Sequence, residues 1–361
     1  MANAQTDESN NESQLRDAWT SFTDTLKTMG LDALASAPTD VERADGLRFI
    51  LRQLAYREEQ LLEFPGGQKP ELFFAESPTR KVFADCPDTI YHQFSVAKRG
   101  RYRIRGTRGE SPYISFTAYR AGVVDRVVAD LHDGQLEIGD EGRFSLDIGG
   151  DNTGANWLDL GSDAAFVIIR EYTHDRDNGL KATFEVEQVS PALDHRPELD
   201  ADRVSSVLDL LGMGLGWVND ATVRLSKELR LRPNVMNEAG ADLVSEMAGT
   251  PHNHYQLCYV KLEEGQALEL ELNPPECRYW SVHLNNWWLE SPEFRDGQSV
   301  CINDSQAHRQ PDGTVKMLVG PDDPGTGNWL DTKGRTETIL LARYLLPESE
   351  LPPIVTSLIS V

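Results

Sequence analysis

The tetrapeptide Asn-Trp-Leu-Asp occurs twice in this chain, at residues 156–159 and 328–331. An acidic turn that contains glycine precedes each copy, and an apolar run that ends in an arginine, Arg170 or Arg343, follows each copy. A repeat with matching flanks indicates an internal duplication, and a duplication constrains the fold more than any single motif does. The chain is therefore expected to contain two copies of one unit with the order turn, aromatic anchor, turn and buried strand.

Short alternating runs of apolar and polar residues surround both tetrapeptides and are typical of β-strands. Helical spacing of apolar residues precedes the first β-region and separates it from the second. We therefore predict an α+β fold with two homologous β-sandwich or jelly-roll-like modules, an N-terminal helical region and a central helical insert. The predicted boundaries are a disordered tail at 1–12, N-terminal helices at 13–78, the first β-module at 79–190, a linker with the helical insert at 191–250, and the second β-module at 251–361.

Several helices can be placed from local signals. Thr39 and Glu42 form the capping-box pattern, in which two side chains satisfy backbone N–H groups reciprocally, so a helix is predicted to start at Thr39. Apolar spacing predicts a helix from Asp202 to about Leu231 and a shorter one at residues 237–247. The glycines at 212, 214 and 216 lie inside the first of these helices with no strand before them, so they indicate close helix packing rather than a dinucleotide site.

Composition narrows the class of protein. The 361-residue chain is long enough for two cores, and its formal net charge of −23 argues against nucleic acids and anionic membranes as partners. The four cysteines lie far apart without a Cys-x-x-Cys pair, which favours free thiols in a reducing compartment. The start of the chain does not resemble a secretory signal, and no run approaches the roughly 20 apolar residues of a membrane helix. A cytoplasmic protein is expected.

The richest group of functional side chains is Tyr-Trp-Ser-Val-His-Leu-Asn-Asn-Trp-Trp at residues 279–288. Because side chains alternate across a strand, residues 280, 282 and 284 are assigned to the core and residues 279, 281, 283 and 285 to the opposite face. This face is aromatic and uncharged, which is typical of a cleft wall. His283 alone in the row titrates near neutral pH, so the predicted catalytic residues are His283, Tyr279 and Ser281.

The predicted substrate-binding residues lie near His283 or in the matching strand of the first module. Within this set, Asn285 is expected to orient the substrate, and two tryptophans are expected to supply apolar walls. The set comprises Asn285, Trp287, Trp288, His254, Tyr113 and Tyr119. The alternative is that the row lies under a neighbouring loop and that His283 is a hydrogen-bonded interior histidine.

Three histidines of the second module offer an alternative arrangement, a metal site. His252 and His254 would share one face of a strand, and His283 would complete a three-histidine set. No acidic ligand follows at the spacing of a cupin site, so neither a metal nor another cofactor is predicted.

The repeated tetrapeptide itself is interpreted as structural. Trp157 and Trp329 are expected to anchor a turn to the core, with stacking on a ring-shaped ligand as the alternative. Asp159 with Arg170, and Asp331 with Arg343, are expected to form ion pairs that close each strand and turn.

Further stretches in both halves point to one family. They are Ala44–Phe49, Asp88–Tyr91, Tyr102–Gly106, Gly154–Leu158, Arg278–Val282 with Asn285-Asn286, and Gly327–Thr332. Together, over about residues 13–350, they resemble the bacterial "domain of unknown function 1214" group. The resemblance implies a β-sandwich or jelly-roll-like architecture with helical additions, often in oligomers, and it supplies no catalytic residues. Cys86 departs from the family pattern, because relatives more often have asparagine there.

The expected function is that of a protein that acts on a small molecule at the junction of the two modules. One hypothesis is a cofactor-independent lyase, isomerase or hydrolase for a bulky, apolar, hydroxylated metabolite such as a terpenoid, a steroid or an aromatic compound. The alternatives are a non-catalytic binder of a small molecule or carbohydrate, and a structural or assembly protein. A homo-oligomer is included among the expected partners.

Overall fold

The computed structural model describes most of the chain. Residues outside the description are 1, 65, 67–68, 153, 191–198, 241–242, 245–248, 295–296, 298 and 326, together with the side chains of 2–9. The start of the predicted linker and much of the helix predicted at 237–247 lie outside the described residues. Where that helix was expected to begin, Asn237–Glu238 form a strand.

Three long helices pack together: α1 (Ala2–Ser36), α2 (Asp40–Glu58) and α3 (Ala201–Arg230). Glu59–Glu63 continue α2 as a π-helical turn. α1 includes residues 2–12, so the predicted disordered tail is corrected to the first turns of a helix that continues into a packed segment. Among the described residues, no helix combines the length and apolar character needed to cross a membrane.

The start of α2 shows half of the predicted capping box. The backbone N–H of Glu42 donates to Thr39 Oγ1 at 3.2 Å, as predicted. The Glu42 carboxylate accepts instead from the backbone N–H of Trp287 and from Arg335. The local pattern therefore identified the helix start, whereas tertiary contacts determine the partner of the acidic side chain.

Module one is a β-sandwich of two sheets. Its strands are β1 (Phe73–Glu76), β2 (Thr89–Ser95), β3 (Arg101–Thr107), β4 (Tyr113–Arg120), β5 (Arg126–His132), β6 (Arg143–Ile148), β7 (Trp157–Leu158), β8 (Phe166–Tyr172) and β9 (Thr183–Ser190). The order β1-β2-β8-β4-β5 forms the inner sheet, which faces module two, and β7-β6-β3-β9 forms the outer sheet. Phe94, Phe116 and Leu146 belong to the core between the sheets.

Module two repeats this arrangement. Its strands are β10 (Asn237–Glu238), β11 (Asn253–Lys261), β12 (Gln266–Leu272), β13 (Tyr279–Asn285), β14 (Cys301–Asn303), β15 (Val315–Gly320), β16 (Trp329–Asp331), β17 (Glu337–Leu345) and β18 (Val355–Ser360). The inner sheet has the order β10-β11-β17-β13-β14, and the outer sheet has the order β16-β15-β12-β18. Trp280, Val282 and Leu284 lie in the core of this module, as predicted.

The two modules have the same strand order in both sheets, which confirms the duplication and the α+β fold with two β-modules. The first strand of each module was not predicted: β1 and β10 precede the expected module starts at 79 and 251. Both are short edge strands separated from the rest of their module by a long connection, so neither gives a clear alternating pattern.

The repeated tetrapeptide forms the same corner in both modules. The side chains of Asn156 and Asn328 each donate to two backbone carbonyls and accept from one backbone N–H. Trp157 Nε1 donates to the Gly149 carbonyl at 3.2 Å, and Trp329 Nε1 donates to the Gly320 carbonyl at 3.0 Å. These shared bonds support the structural interpretation of both tryptophans.

The ion pairs predicted within each corner do not form. Asp159 accepts from the Gly161 backbone N–H and Asp331 accepts from the Lys333 backbone N–H, so each carboxylate is satisfied within its own turn. Arg170 and Arg343 donate instead to hydroxyl groups on the inner faces of the inner sheets.

Candidate functional site

The uncharged row predicted in the second module and the matching row of the first module are both buried where the inner sheets face each other. Each residue of the rows is at most 1% exposed: Tyr113, Ser115, Thr117 and Tyr119 in β4, and Tyr279, Ser281, His283 and Asn285 in β13. The rings of Tyr172 and Tyr279 lie 5.1 Å apart across this junction. The predicted solvent-lined cleft wall is therefore corrected to a packed interior, because the opposite module and a covering segment exclude water from it.

The covering segment is residues 77–88, between β1 and β2. The backbone N–H of Ala84 donates to the Leu289 carbonyl at 2.7 Å, and the Ala84 carbonyl accepts from Arg343 Nη2 at 2.9 Å. The alternative of a loop over the β13 row is thus correct. His283, however, is not a hydrogen-bonded interior histidine: neither of its ring nitrogens has a partner among the described residues.

A cluster of sulfur and imidazole groups forms under the covering segment. The Sγ atoms of Cys86 and Cys301 and a ring nitrogen of His283 all lie within 4.8 Å of one another. The register of β13 and β14 pairs His283 with Cys301, and the covering segment supplies Cys86. We call these three residues the thiol–imidazole cluster.

The predicted catalytic residues surround this cluster. Cys86 Sγ lies 3.9 Å from the Tyr279 hydroxyl and 4.0 Å from the Ser281 hydroxyl. The structure therefore brings His283, Tyr279 and Ser281 together around a cysteine that sequence reasoning set aside. Their catalytic role stays a prediction.

Asp88 adds a carboxylate to the edge of the cluster. Its Oδ2 accepts from the Tyr279 hydroxyl at 2.7 Å and from Asn303 Nδ2 at 2.8 Å, and it lies 3.5 Å from Cys301 Sγ. Burial and the nearby Cys86 raise the pKa of Asp88 to about 6, although the hydrogen bond from Asn303 opposes the shift. Two strands of module two therefore hold a carboxylate of module one in a fixed orientation.

Electrostatics differ between the members of the cluster. Burial favours the neutral thiol of Cys86, but the hydrogen bond with Cys301 and the charge of Arg343 outweigh it and place the pKa of Cys86 well below its ordinary value. Burial lowers the pKa of His283 to about 4, so this imidazole is neutral at physiological pH. A thiolate beside a neutral imidazole can act as a nucleophile with a base, or both can bind a metal.

The predicted substrate-binding residues are dispersed. Trp288 stacks on Phe49 of α2 at 5.4 Å, and its ring lies 2.5 Å from the position of a Cβ on Gly46, so it is a core residue. Asn285 and Trp287 are buried with side-chain nitrogens that have no partner among the described residues, and they remain predicted ligand contacts. Tyr113 stacks on His132 at 5.8 Å.

The three-histidine set is not assembled. His283 and Leu257 occupy the same row, because both pair with Leu341 of β17. His252 lies five positions along the chain from Leu257 and is 3.3 Å from Asp130 of module one. His254 is exposed and pairs with Tyr344, whose side chain lies in the core on the other face of the sheet.

A cavity of about 110 Å³ lies between the inner sheet of module one, α2 and α3. Gly214 of α3 is buried at its wall, and a Cβ added there would meet no atom within 4 Å. The apolar lining includes Phe166, Ile168, Leu215 and Val218, and the polar lining includes Tyr56, Glu76, Tyr119 and Arg170. Of the predicted substrate-binding residues, Tyr119 lines this cavity.

Glu76 is the distinctive titratable group of the cavity. Its Oε2 is buried without a hydrogen-bond partner among the described residues. Burial and the charge of Asp85 raise the pKa of Glu76 well above its ordinary value, against the opposing charges of Arg170 and Arg343 and with a further contribution from Cys86. Arg57, also in the lining, pairs with Asp125 at 2.9 Å. A carboxyl group whose pKa is shifted toward the protonated form thus lies near the guanidinium of Arg170.

Sequence reasoning missed Cys86, Cys301 and Glu76. The two cysteines are more than two hundred residues apart, and only the packing of one module on the other brings them together. The one available signal was Cys86 itself, the noted departure from the family pattern. Glu76 lies on the unpredicted strand β1, so no sequence signal placed it beside Tyr119 and Arg170.

Comparison with known proteins supports the fold and the family resemblance. Residues 260–349 match the model of the family described as "Protein of unknown function (DUF1214)". The crystal structure of an uncharacterised protein from Burkholderia cenocepacia is 27% identical with a TM-score of 0.90, over 96% of this chain and 98% of that chain. A Vibrio parahaemolyticus protein is 10% identical with a TM-score of 0.49, over 86% and 97% of the respective chains. A comparison with curated proteins gave no match.

Proposed function

We propose that this chain, whose residues 260–349 match the DUF1214 family model, binds a compact oxygen-bearing apolar molecule in the cavity beside Tyr119 and catalyses proton transfer on it. The observation that carries the proposal is the buried, unpartnered carboxyl oxygen of Glu76 in a cavity with apolar walls. Pockets that combine apolar walls with a few convergent polar groups and a perturbed carboxyl are typical of small-molecule sites.

The size of the cavity limits the ligand. A cavity of roughly 150 Å³ in another protein binds benzene. The 110 Å³ beside Gly214 therefore favours a ligand of about one ring over the bulky terpenoid or steroid of the initial expectation. The buried helical glycine supports a binding role, because alanine there would favour the helix by roughly 1 kcal/mol and would meet no steric obstacle.

The polar groups favour a hydroxyl-bearing substrate and lyase or isomerase chemistry. In a dehydration, the Glu76 carboxylic acid protonates the substrate hydroxyl as the C–O bond breaks and water leaves. The resulting Glu76 carboxylate then accepts a proton from the neighbouring carbon, which restores the acid. Arg170 stabilises the transient carboxylate, and Tyr119 orients the substrate oxygen.

The proposed site still has an aromatic wall, but Glu76 replaces His283 as the proton-transfer group. Burial keeps His283 neutral with a pKa of about 4, so it is not a proton donor near neutral pH. The pKa of Glu76 is shifted in the opposite direction, toward the protonated form that a proton donor requires.

Binding is tested by thermal unfolding of the full chain with phenol, cyclohexanol, benzoate and toluene. We expect phenol or cyclohexanol to raise Tm more than toluene does, because toluene lacks an oxygen for Glu76. Gly214→Leu should weaken binding by at least about tenfold, since leucine fills the cavity. Gly216→Leu is the matched control, because Gly216 is also in α3 but does not line the cavity. Unchanged binding by Gly214→Leu would exclude this cavity as the binding site.

Catalysis is tested with a mixture of small hydroxylated metabolites and mass spectrometry. The wild type should consume a compound that Glu76→Gln binds but leaves intact, because glutamine keeps the shape and cannot transfer the proton. If both proteins bind the compound and neither consumes it, the protein is a non-catalytic binder. If both consume it equally, Glu76 is not the proton-transfer group.

A further inference from the structure

We propose that Cys86, His283 and Cys301 bind a thiophilic divalent cation of the zinc class, with the Asp88 carboxylate next to the fourth ligand position. The three donor atoms lie within 4.8 Å of one another. Ligands of tetrahedral zinc are bonded at about 2.0–2.3 Å, which places donor atoms about 3.3–3.8 Å apart. Small side-chain movements therefore close the cluster around an ion.

The state of His283 is the second, independent observation. Its side chain is fully buried at 0% exposure, and neither ring nitrogen has a hydrogen-bond partner among the described residues. Leaving a buried polar group unpaired is unfavourable, and such groups commonly mark an ion or water site. A cation bound to one ring nitrogen removes this cost, whereas substrate chemistry in the cavity beside Glu76 does not.

The charges and the hydrogen bonds around the cluster match those of a metal site. Two thiolates and the Asp88 carboxylate would be balanced by a divalent cation together with the buried guanidinium of Arg343, which lies near Cys86. Tyr279 and Asn303 both donate to Asp88 Oδ2, and this type of outer-shell bonding fixes the orientation of a ligating carboxylate.

The site also has a path from solvent. Cys301 is half-buried, and together with Asp88 it lines a surface groove next to Phe294 and Arg176. A cation can therefore reach the cluster from this groove without separation of the two modules. Nothing in this inference depends on a ligand in the cavity beside Glu76.

The test uses the full chain, purified under reducing conditions, stripped with a chelator and titrated with Co²⁺ and then Zn²⁺. We expect one Co²⁺ per chain, with thiolate-to-cobalt charge-transfer absorption and the visible bands of tetrahedral cobalt, both abolished by excess Zn²⁺. Cys301→Ser should remove the charge-transfer intensity of one thiolate and weaken Zn²⁺ binding by more than about 100-fold. Cys277→Ser is the control, because Cys277 is also half-buried and lies outside the cluster.

A second variant distinguishes the loss of a metal contact from misfolding. Asp88→Asn keeps the side-chain shape and should weaken Zn²⁺ binding by about 10–100-fold while circular dichroism stays native. The proposal is overturned if the reduced wild type takes up no Co²⁺, or if a natively folded Cys301→Ser gives the wild-type cobalt spectrum. A Cys86–Cys301 disulfide in the absence of any metal uptake would assign the pair to redox chemistry instead. Gly214→Leu must leave the cobalt spectrum unchanged, which separates this test from the ligand test.

Discussion

Equivalent positions of the two inner sheets have different chemistry. In module one, Thr117 pairs with Asp130 across β4 and β5, donates to its carboxylate and accepts from Arg170 at 3.0 Å. In module two, His283 and Cys301 occupy the corresponding positions. The hydrogen bonds of Thr117 are satisfied within its own module, whereas His283 has no partner among the described residues. The two modules thus share the same strand order, but equivalent side chains differ where the modules meet.

The two inner-sheet arginines show the same asymmetry. Arg170 donates to Thr117 and Tyr119 of its own sheet. Arg343 donates to Tyr172 of module one at 2.8 Å and to the Ala84 carbonyl of the covering segment at 2.9 Å. The arginine of module one therefore stabilises its own sheet, whereas its counterpart in module two connects the two modules.

The largest expected loss of stability follows from removing the contacts by which Arg343 connects the modules. Arg343→Met should lower the free energy of unfolding by about 3 kcal/mol or more, because two buried acceptors lose a charged donor. Arg170→Met should cost less, since its partners lie within one sheet. Urea unfolding of both variants measures the difference, and equal losses would contradict a special connecting role for Arg343.

A smaller loss of stability is expected at the Asn-Trp-Leu-Asp corners, where the modules share one hydrogen-bond pattern. Asn328 is buried at 2% exposure, whereas Asn156 is only partly buried. Asn328→Ala should therefore cost about 2–3 kcal/mol and Asn156→Ala about 1 kcal/mol, because water replaces lost bonds more readily at the less buried site. Comparison of their chemical unfolding midpoints checks this, and a larger loss at Asn156 would show that burial does not control the cost.

The smallest predicted change is a pH dependence that belongs to module one alone. Module two has Ala239 opposite Tyr255, near the position where Glu76 faces Tyr91. The raised pKa of Glu76 makes the folded protein hold a proton that the unfolded chain has released, so this group lowers stability as pH rises above about 4.5. The stability of Glu76→Gln relative to wild type should therefore increase with pH.

Unfolding in urea at about pH 5.5 and about pH 8 measures this difference. Other buried carboxyl groups with raised pKa values, such as Glu42 and Glu290, are present in both proteins and cancel in the comparison. A difference that is constant or falls with pH would show that Glu76 is ionised in the folded protein.

Prediction from sequence succeeded where local pattern determines structure. The alternating run 279–285 predicted β13 to the residue and assigned Trp280 to the core and His283 to the opposite face. It failed where partners are distant: the row predicted to line a cleft is covered by residues 77–88, and the three histidines are separated. Which surface covers a strand face depends on chain packing, which no local pattern encodes.

The sequence by itself determined the duplicated β-module, the structural corner at Asn-Trp-Leu-Asp, and the row that contains His283, because periodicity and repeats are properties of neighbouring residues. Only the tertiary structure decided what that row contacts. Cys86 reaches His283 and Cys301 through the packing of one module against the other, and Glu76 meets Tyr119 and Arg170 beside α3. Both proposed sites combine residues from separate elements, so their chemistry arises from distances that exist only in the folded chain.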